Sequence, residues 1–126
     1  MIIRKAVPAD SKAIKSLIAL YPQHLLQKFI PRISDFFVAE IDGQVVGCCA
    51  LEVYSKRLAE VRSLSVKKSH QGQGAAKRLI KAVLKEARKR KVVEVLTITG
   101  AVSLFERQGF RTFNKEKIAL FKVFKY

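Results

Sequence analysis

The chain has 126 residues, 49% of them hydrophobic, and a formal net charge of +15 at pH 7; this suits a single folded domain, taken as residues 1–126. No apolar run approaches the ~20 residues that span a bilayer, and "MIIRKAVPAD" holds too short an apolar patch for a signal peptide, so a soluble cytoplasmic protein with no membrane partner is expected. The charge favours an anionic partner: nucleic acid, a membrane surface, a phosphorylated cofactor, or no more than solvent.

"IIRKAV" (2–7) reads as a short strand closed by Pro8. Asp10 is placed to cap a helix carrying Ile14, Leu17, Ile18 and Tyr21 on one face, and Pro22 ends it. "QHLLQKFI" (23–30) reads as a second helix stopped by Pro31. "DFFVAEI" (35–41) and "VVGCCALEVY" (45–54) read as strands joined through Asp42-Gly43, a strong hairpin signal. Cys48 and Cys49 are neighbours on one strand and point to opposite faces, so they read as buried hydrophobes with no mutual disulfide and no metal role. "LAEVRSLSV" (58–66) makes a third strand of a meander.

From Ala76 the apolar residues Ala76, Leu79, Ile80, Val83, Leu84 and Ala87 follow the i, i+3, i+4, i+7 ladder of a helix packed on one side. Lys77, Lys81, Lys85 and Arg88 occupy the other side, which is usually a solvated face. "VVEVLTI" (92–98) reads as a buried strand, "AVSLFERQGF" as a short helix stopped by Gly109, and "KIALFKVFKY" (117–126) as a last strand.

The helix from Ala76 opens on Gly72 and Gly74, the residue type helices tolerate least after proline. Free N–H groups at a helix N-terminus bind anions, and glycines let phosphate approach the backbone closely. The chain has no G-x-x-x-x-G-K-S/T loop and no G-x-G-x-x-G dinucleotide fingerprint. Gln71-Gly72-Gln73-Gly74-Ala75-Ala76 instead resembles the Q/R-x-x-G-x-G/A signature of the GNAT superfamily of acyl-CoA N-acyltransferases. "EVRSLSV" precedes it where that family has its fourth strand, and "AVSLFERQGF" follows where it has a helix ending in Gly-Phe. The stretch from Asp35 to Val66 is further similar to the acetyltransferase domain of N-acetylglutamate synthases.

The resemblance implies an α/β (α+β) domain. Its sheet would be mixed but mostly antiparallel, with six to seven strands, about four helices, and splayed fourth and fifth strands. It implies acetyl-CoA as cosubstrate, with its pyrophosphate on the amides of Gln71, Gly72, Gln73, Gly74, Ala75 and Ala76. The pantetheine arm would pair with backbone groups of Leu64 and Val66. Ser103, with Thr97 and Thr99, is a further candidate cofactor contact. Lys68, Lys77 and Arg78 lie near the turn and are equally well read as solvated.

Amine attack on a thioester needs a general base. Glu60 is the first candidate, a carboxylate inside an otherwise apolar strand; its structural alternative is an exposed strand residue paired with Arg62. Glu52 is the weaker candidate. Arg62 is the candidate for an acceptor carboxylate. Tyr54 on the third strand is available to protonate the thiolate but reads first as core. Phe105 stands where many family members have a proton-donating tyrosine, and the N-acetylglutamate synthase branch also tends to phenylalanine there. Ile98 stands where an asparagine is frequent. His24 and His70 carry no assignable role.

The expected activity is N-acetyl transfer to a small-molecule amine, with an amino acid such as glutamate as acceptor and arginine biosynthesis as its setting. A protein N-terminus or lysine is the alternative acceptor. A basic nucleic-acid-binding domain is the non-enzyme alternative, and the lack of aromatic–basic interleaving argues against it. The short chain also allows a homodimer in which a second subunit completes the acceptor pocket.

Overall fold

The computed structural model describes residues 1–112 and 119–126. Strand β1 (Ile2–Lys5) leads through a 3-10 turn to helix α1 (Ser11–Ala19). Strands β2 (Phe36–Ile41), β3 (Gln44–Val53) and β4 (Leu58–Val66) form the expected meander. Helix α2 (Ala75–Lys89), strand β5 (Glu94–Thr97) and helix α3 (Val102–Glu106) follow. The strands lie in the order β1-β2-β3-β4-β5, antiparallel except for the parallel β4–β5 pair.

The alternating strand pattern sends side chains to two faces. On one face α1 buries Ile14, Leu17 and Ile18 against Phe36, Val38, Cys48 and Ala50. On the other, α2 buries Leu79, Ile80, Val83 and Ala87 against Ala39, Cys49, Leu51, Ala59 and Val61. Cys48 and Cys49 fall on opposite faces, both buried and unbridged. Gly47 lets α2 approach the sheet, since a Cβ there would lie 3.2 Å from Leu79 Cδ1 and 3.3 Å from the Ser65 carbonyl. The β2–β3 turn is the expected one, with Asp42 and Gly43 at φ 49° and 77°.

Several expectations are corrected. Among the described residues the sheet has five strands and there are three α-helices. Residues 23–30 form turns and bends rather than a helix, with Phe29 at φ 57°. Gln27 donates there to the carbonyls of Ile18 and Leu25 (both 3.0 Å), closing the chain back on the end of α1. Residues 117 and 118 of the last expected strand lie outside the described residues, and 119–126 pair with no strand and are exposed. β5 is shorter than expected and half-buried, with Val93 exposed.

Asp10 precedes α1 but does not cap it with its side chain. Its carboxylate accepts from the Val7 N–H (2.8 Å) and from both terminal nitrogens of Arg4 (2.8 and 3.0 Å). Arg4 also reaches Glu40 at 3.1 Å. The Arg4 hydrogen bonds hold the buried Asp10 carboxyl below its ordinary value against the opposing effect of burial.

Candidate active site

Strand β4 changes character along its length. Ala50 pairs with Arg62 but Cys48 pairs with Ser65, so β4 carries one extra residue between these pairs. Ser63 takes φ 55° at this bulge. Before it, Glu60 and Arg62 point to the α1 face. After it, the parity flips: Ser65 points to that face and donates to the Leu17 carbonyl (2.7 Å), while Val66 joins the α2-side core.

The β4–β5 ladder ends at the bulge. Its pairs run from Leu58–Glu94 to Val61–Thr97, and Thr97 Oγ1 donates to the Val61 carbonyl (3.2 Å) at the last of them. Among the described residues no strand pairs with the β5 side of β4 beyond Val61, as the expected splay requires. The Lys67 N–H donates to the Val46 carbonyl (2.8 Å), so the next pair, Gly47–Val66, is of the non-hydrogen-bonded kind. The backbone groups of Val66 therefore point away from β3, into the opening. Its carbonyl already accepts from Tyr21 Oη (2.7 Å) and Gln71 Nε2 (3.4 Å), which leaves its N–H facing the opening.

The opening leads to the glycine turn. Gly72 and Gly74 stand at φ 79° and 86°, a region costly for any side chain. Gly74 is the N-cap of α2. Gln71, expected among the free amides, gives its N–H to the Lys68 carbonyl (3.4 Å); among the described residues the N–H groups from Gly72 to Lys77 have no acceptor, and the first intrahelical bond runs from Arg78 N–H to the Gly74 carbonyl (3.1 Å). Nothing lies within 4 Å of where a Cβ would sit on Gly72 or Gly74. A run of free amides at the positive end of a 15-residue helix, with open space before it, fits a diphosphate.

Tyr21 is the residue missed in the sequence. It lies past the end of α1, and its hydroxyl donates to the Val66 carbonyl and accepts from Gln71 Nε2 (2.7 Å), pinning the turn to β4. A tyrosine two residues beyond a helix end gives no sequence signal of such a reach.

On the α1 face, where α1 no longer covers the sheet, four side chains gather at the outer end of β3 and β4. Glu52 and Glu60 are direct cross-strand partners. Arg62 pairs with Glu52 (2.5 Å), not with Glu60 as the structural alternative supposed, and its other terminal nitrogen donates to the Phe29 carbonyl (3.0 Å). Glu60 instead accepts from Tyr54 Oη (2.5 Å). Tyr54 is half-exposed and belongs to this cluster rather than to the core. Desolvation, then the Glu60 carboxylate, push its phenol well above the ordinary range, so it stays protonated at neutral pH. Partial burial opposes the charge on Arg62, but the Glu52 and Glu60 carboxylates together outweigh it and the guanidinium is held more firmly charged.

Among the described residues Glu60 thus makes no ion pair, while Glu52 makes one, and Glu60 lies one residue before the last β4–β5 pair. Phe105 is buried edge-on against Phe110 at 5.3 Å. Ser103 is exposed on α3, and Thr99 accepts from the Ala101 N–H (2.9 Å); neither is brought against the turn or the Glu60 cluster by a hydrogen bond. Lys68, Lys77 and Arg78 are exposed near the turn. Among the described residues no His, Cys, Asp and Glu group is arranged to hold a metal ion, and no helix is long and apolar enough to cross a membrane.

Comparison with known proteins gives consistent matches. The profile of the acetyltransferase (GNAT) domain matches residues 32–112. An uncharacterised N-acetyltransferase of Chlorobaculum tepidum is 33% identical over 120 residues, covering 90% of this chain and 77% of the relative. An amino-acid acetyltransferase of Mycobacterium tuberculosis is 32% identical over 117 residues, covering 86% and 67%. Among solved structures, a Mycobacterium tuberculosis protein in complex with CoA and NLQ superposes with a TM-score of 0.86 at 30% identity, covering 94% of this chain and 76% of that one. The N-acetylglutamate synthase of Neisseria gonorrhoeae, complexed with coenzyme A and N-acetyl-glutamate, superposes with a TM-score of 0.81 at 26% identity; the match covers 93% of this chain but 30% of that one.

Proposed function

The chain belongs to the GNAT family of acyl-CoA-dependent N-acetyltransferases, and on that premise we propose that its acceptor is the α-amino group of a free amino acid, glutamate foremost. The reading rests on one arrangement: a carboxylate with no ion pair among the described residues, Glu60, held by Tyr54 near the Arg62 guanidinium, at the mouth of the β4–β5 opening. The likeness to an amino-acid acetyltransferase and to an N-acetylglutamate synthase supports the same acceptor class.

Bound acetyl-CoA supplies the acetyl group as a thioester. The amides from Gly72 to Lys77 hold its diphosphate, and the open edge of β4 at Leu64 and Val66 takes the pantetheine arm as an added strand. Glu60 removes a proton from the acceptor ammonium, directly or through a water, and the neutral amine forms the new C–N bond as the C–S bond breaks. Tyr54 donates to Glu60 and fixes its rotamer. Arg62 keeps N–H donors beyond those used by Glu52 and Phe29, and these are available to an acceptor carboxylate. Phe105, buried and without a donor, leaves the departing thiolate to take its proton elsewhere.

A panel of free amino acids, short peptides and polyamines, assayed for CoA release, tests the reading. Glutamate or glutamine is expected to lead, and raised salt to weaken acceptor capture. Faster acetylation of peptides or polyamines than of any free amino acid would overturn the acceptor while leaving the family intact.

A further inference from the structure

A second concave surface lies on the far side of α2 from the β4–β5 opening. The groove, about 530 Å³, runs between α2 and the first two strands. Its α2 wall carries Arg78, Lys81, Lys85 and Lys89, all exposed. Lys5 stands on the opposite wall. The lone carboxylate in the lining, Glu86, is taken by Lys5 at 3.5 Å. Among the described residues, the four α2 cations have no carboxylate within ion-pair distance. The floor is apolar: Ile3, Phe37 and Ala82, all half-buried.

One wall of the groove is a sheet edge. Among the described residues β1 pairs only with β2, so its other side offers main-chain donors and acceptors. Arg78 Nη1 donates to the Met1 carbonyl (3.1 Å), tying the start of that edge to α2. Residues four apart on a helix rise by roughly 6 Å, and alternate residues of a strand advance by about 6.8 Å. An extended chain added to β1 therefore sends every second side chain to the α2 face at a spacing close to that of Lys81, Lys85 and Lys89.

We propose that this groove docks an acidic polypeptide segment, added as a strand to β1, with the carboxylates of alternate residues on the α2 cations and the methylene stems of those same side chains over Ile3. A nucleic acid fits the observations less well. Phe37 is half-buried with the Lys5 ammonium 5.3 Å from its ring centre, so it offers no free face for a base. The apolar floor has no counterpart in a phosphate backbone.

The test measures binding by fluorescence anisotropy at physiological salt. The probes are a labelled peptide alternating leucine and glutamate, the same peptide with proline at alternate leucines, and a duplex DNA of random sequence. Lys81→Glu/Lys85→Glu should weaken the alternating peptide by about tenfold or more, and the neutral pair Lys81→Gln/Lys85→Gln by less. Lys12→Glu/Lys15→Glu, the same charge change on exposed lysines of α1, should leave it within about threefold. The proline peptide should bind at least about tenfold more weakly, because proline cannot complete the strand ladder. Equal loss in the α1 variant, equal binding of the proline peptide, or no binding at all would overturn the proposal. So would tighter binding of DNA that falls with the α2 variants.

Discussion

The two faces of the sheet carry opposite chemistry at the outer ends of β3 and β4. On the α2 face Leu51, Ala59 and Val61 continue an apolar surface that α2 covers. On the α1 face the neighbouring positions are Glu52, Glu60 and Arg62, and α1 has ended before reaching them. One face thus maximises burial. The other gives up burial for a satisfied polar cluster, in which every buried side-chain nitrogen and oxygen among the described residues has a partner. With the roles proposed for Glu60 and Arg62, stability and chemistry divide between the faces of the same two strands, so substitutions on each should report differently.

The largest effect belongs to the covered face. Leu79 is fully buried against Gly47 and β4, and Leu79→Ala should cost about 2–5 kcal/mol in chemical denaturation. On the polar face, Glu60→Gln should lower turnover by roughly 10² with acetyl-CoA affinity kept and the denaturation midpoint little changed. Tyr54→Phe should lower turnover by less than Glu60→Gln does, since it removes only a donor that holds the Glu60 carboxylate. A Glu60→Gln protein with near wild-type turnover would return Glu60 to a structural role.

A smaller effect comes from Asp10, the polar group buried at the other end of the α1 face. Its folded value is depressed below the ordinary 3.8. Its contribution is therefore complete above that value and lost as pH falls through the folded one. Asp10→Asn should cost about 1–3 kcal/mol at neutral pH, discounted for the partly exposed Arg4. The gap between wild type and variant should narrow as pH is lowered below about 4. A gap that is constant with pH would assign the loss to packing alone.

The covered face was the legible one. The ladder from Leu79 to Ala87 and the Asp42-Gly43 turn follow from period and turn chemistry, and the structure has both. The glycine turn was legible as a turn, since Gly72 and Gly74 at a helix start mark the positive φ that both adopt. The polar face was read less well. Alternation places Tyr54 on the α1 face, but only the length of α1 decides that this position is uncovered. The bulge at Ser63 was invisible, since a serine with φ 55° carries no sequence mark, and yet it turns Leu64 and Val66 toward α2 while Glu60 faces the other way. Residues 23–30 have apolar positions without a cap, and tertiary hydrogen bonds from Gln27 and Arg62 decide their path.

The account turns on the free amides from Gly72 to Lys77, and calorimetric titration of acetyl-CoA into Gly74 variants tests them most directly. Gly74→Ala controls for backbone strain alone, since its Cβ meets nothing within 4 Å. Gly74→Glu adds a negative charge where the diphosphate is proposed to lie. The account predicts that Gly74→Glu binds at least about tenfold more weakly than Gly74→Ala, a difference of roughly 1.4 kcal/mol. Equal affinities in two folded variants would contradict it.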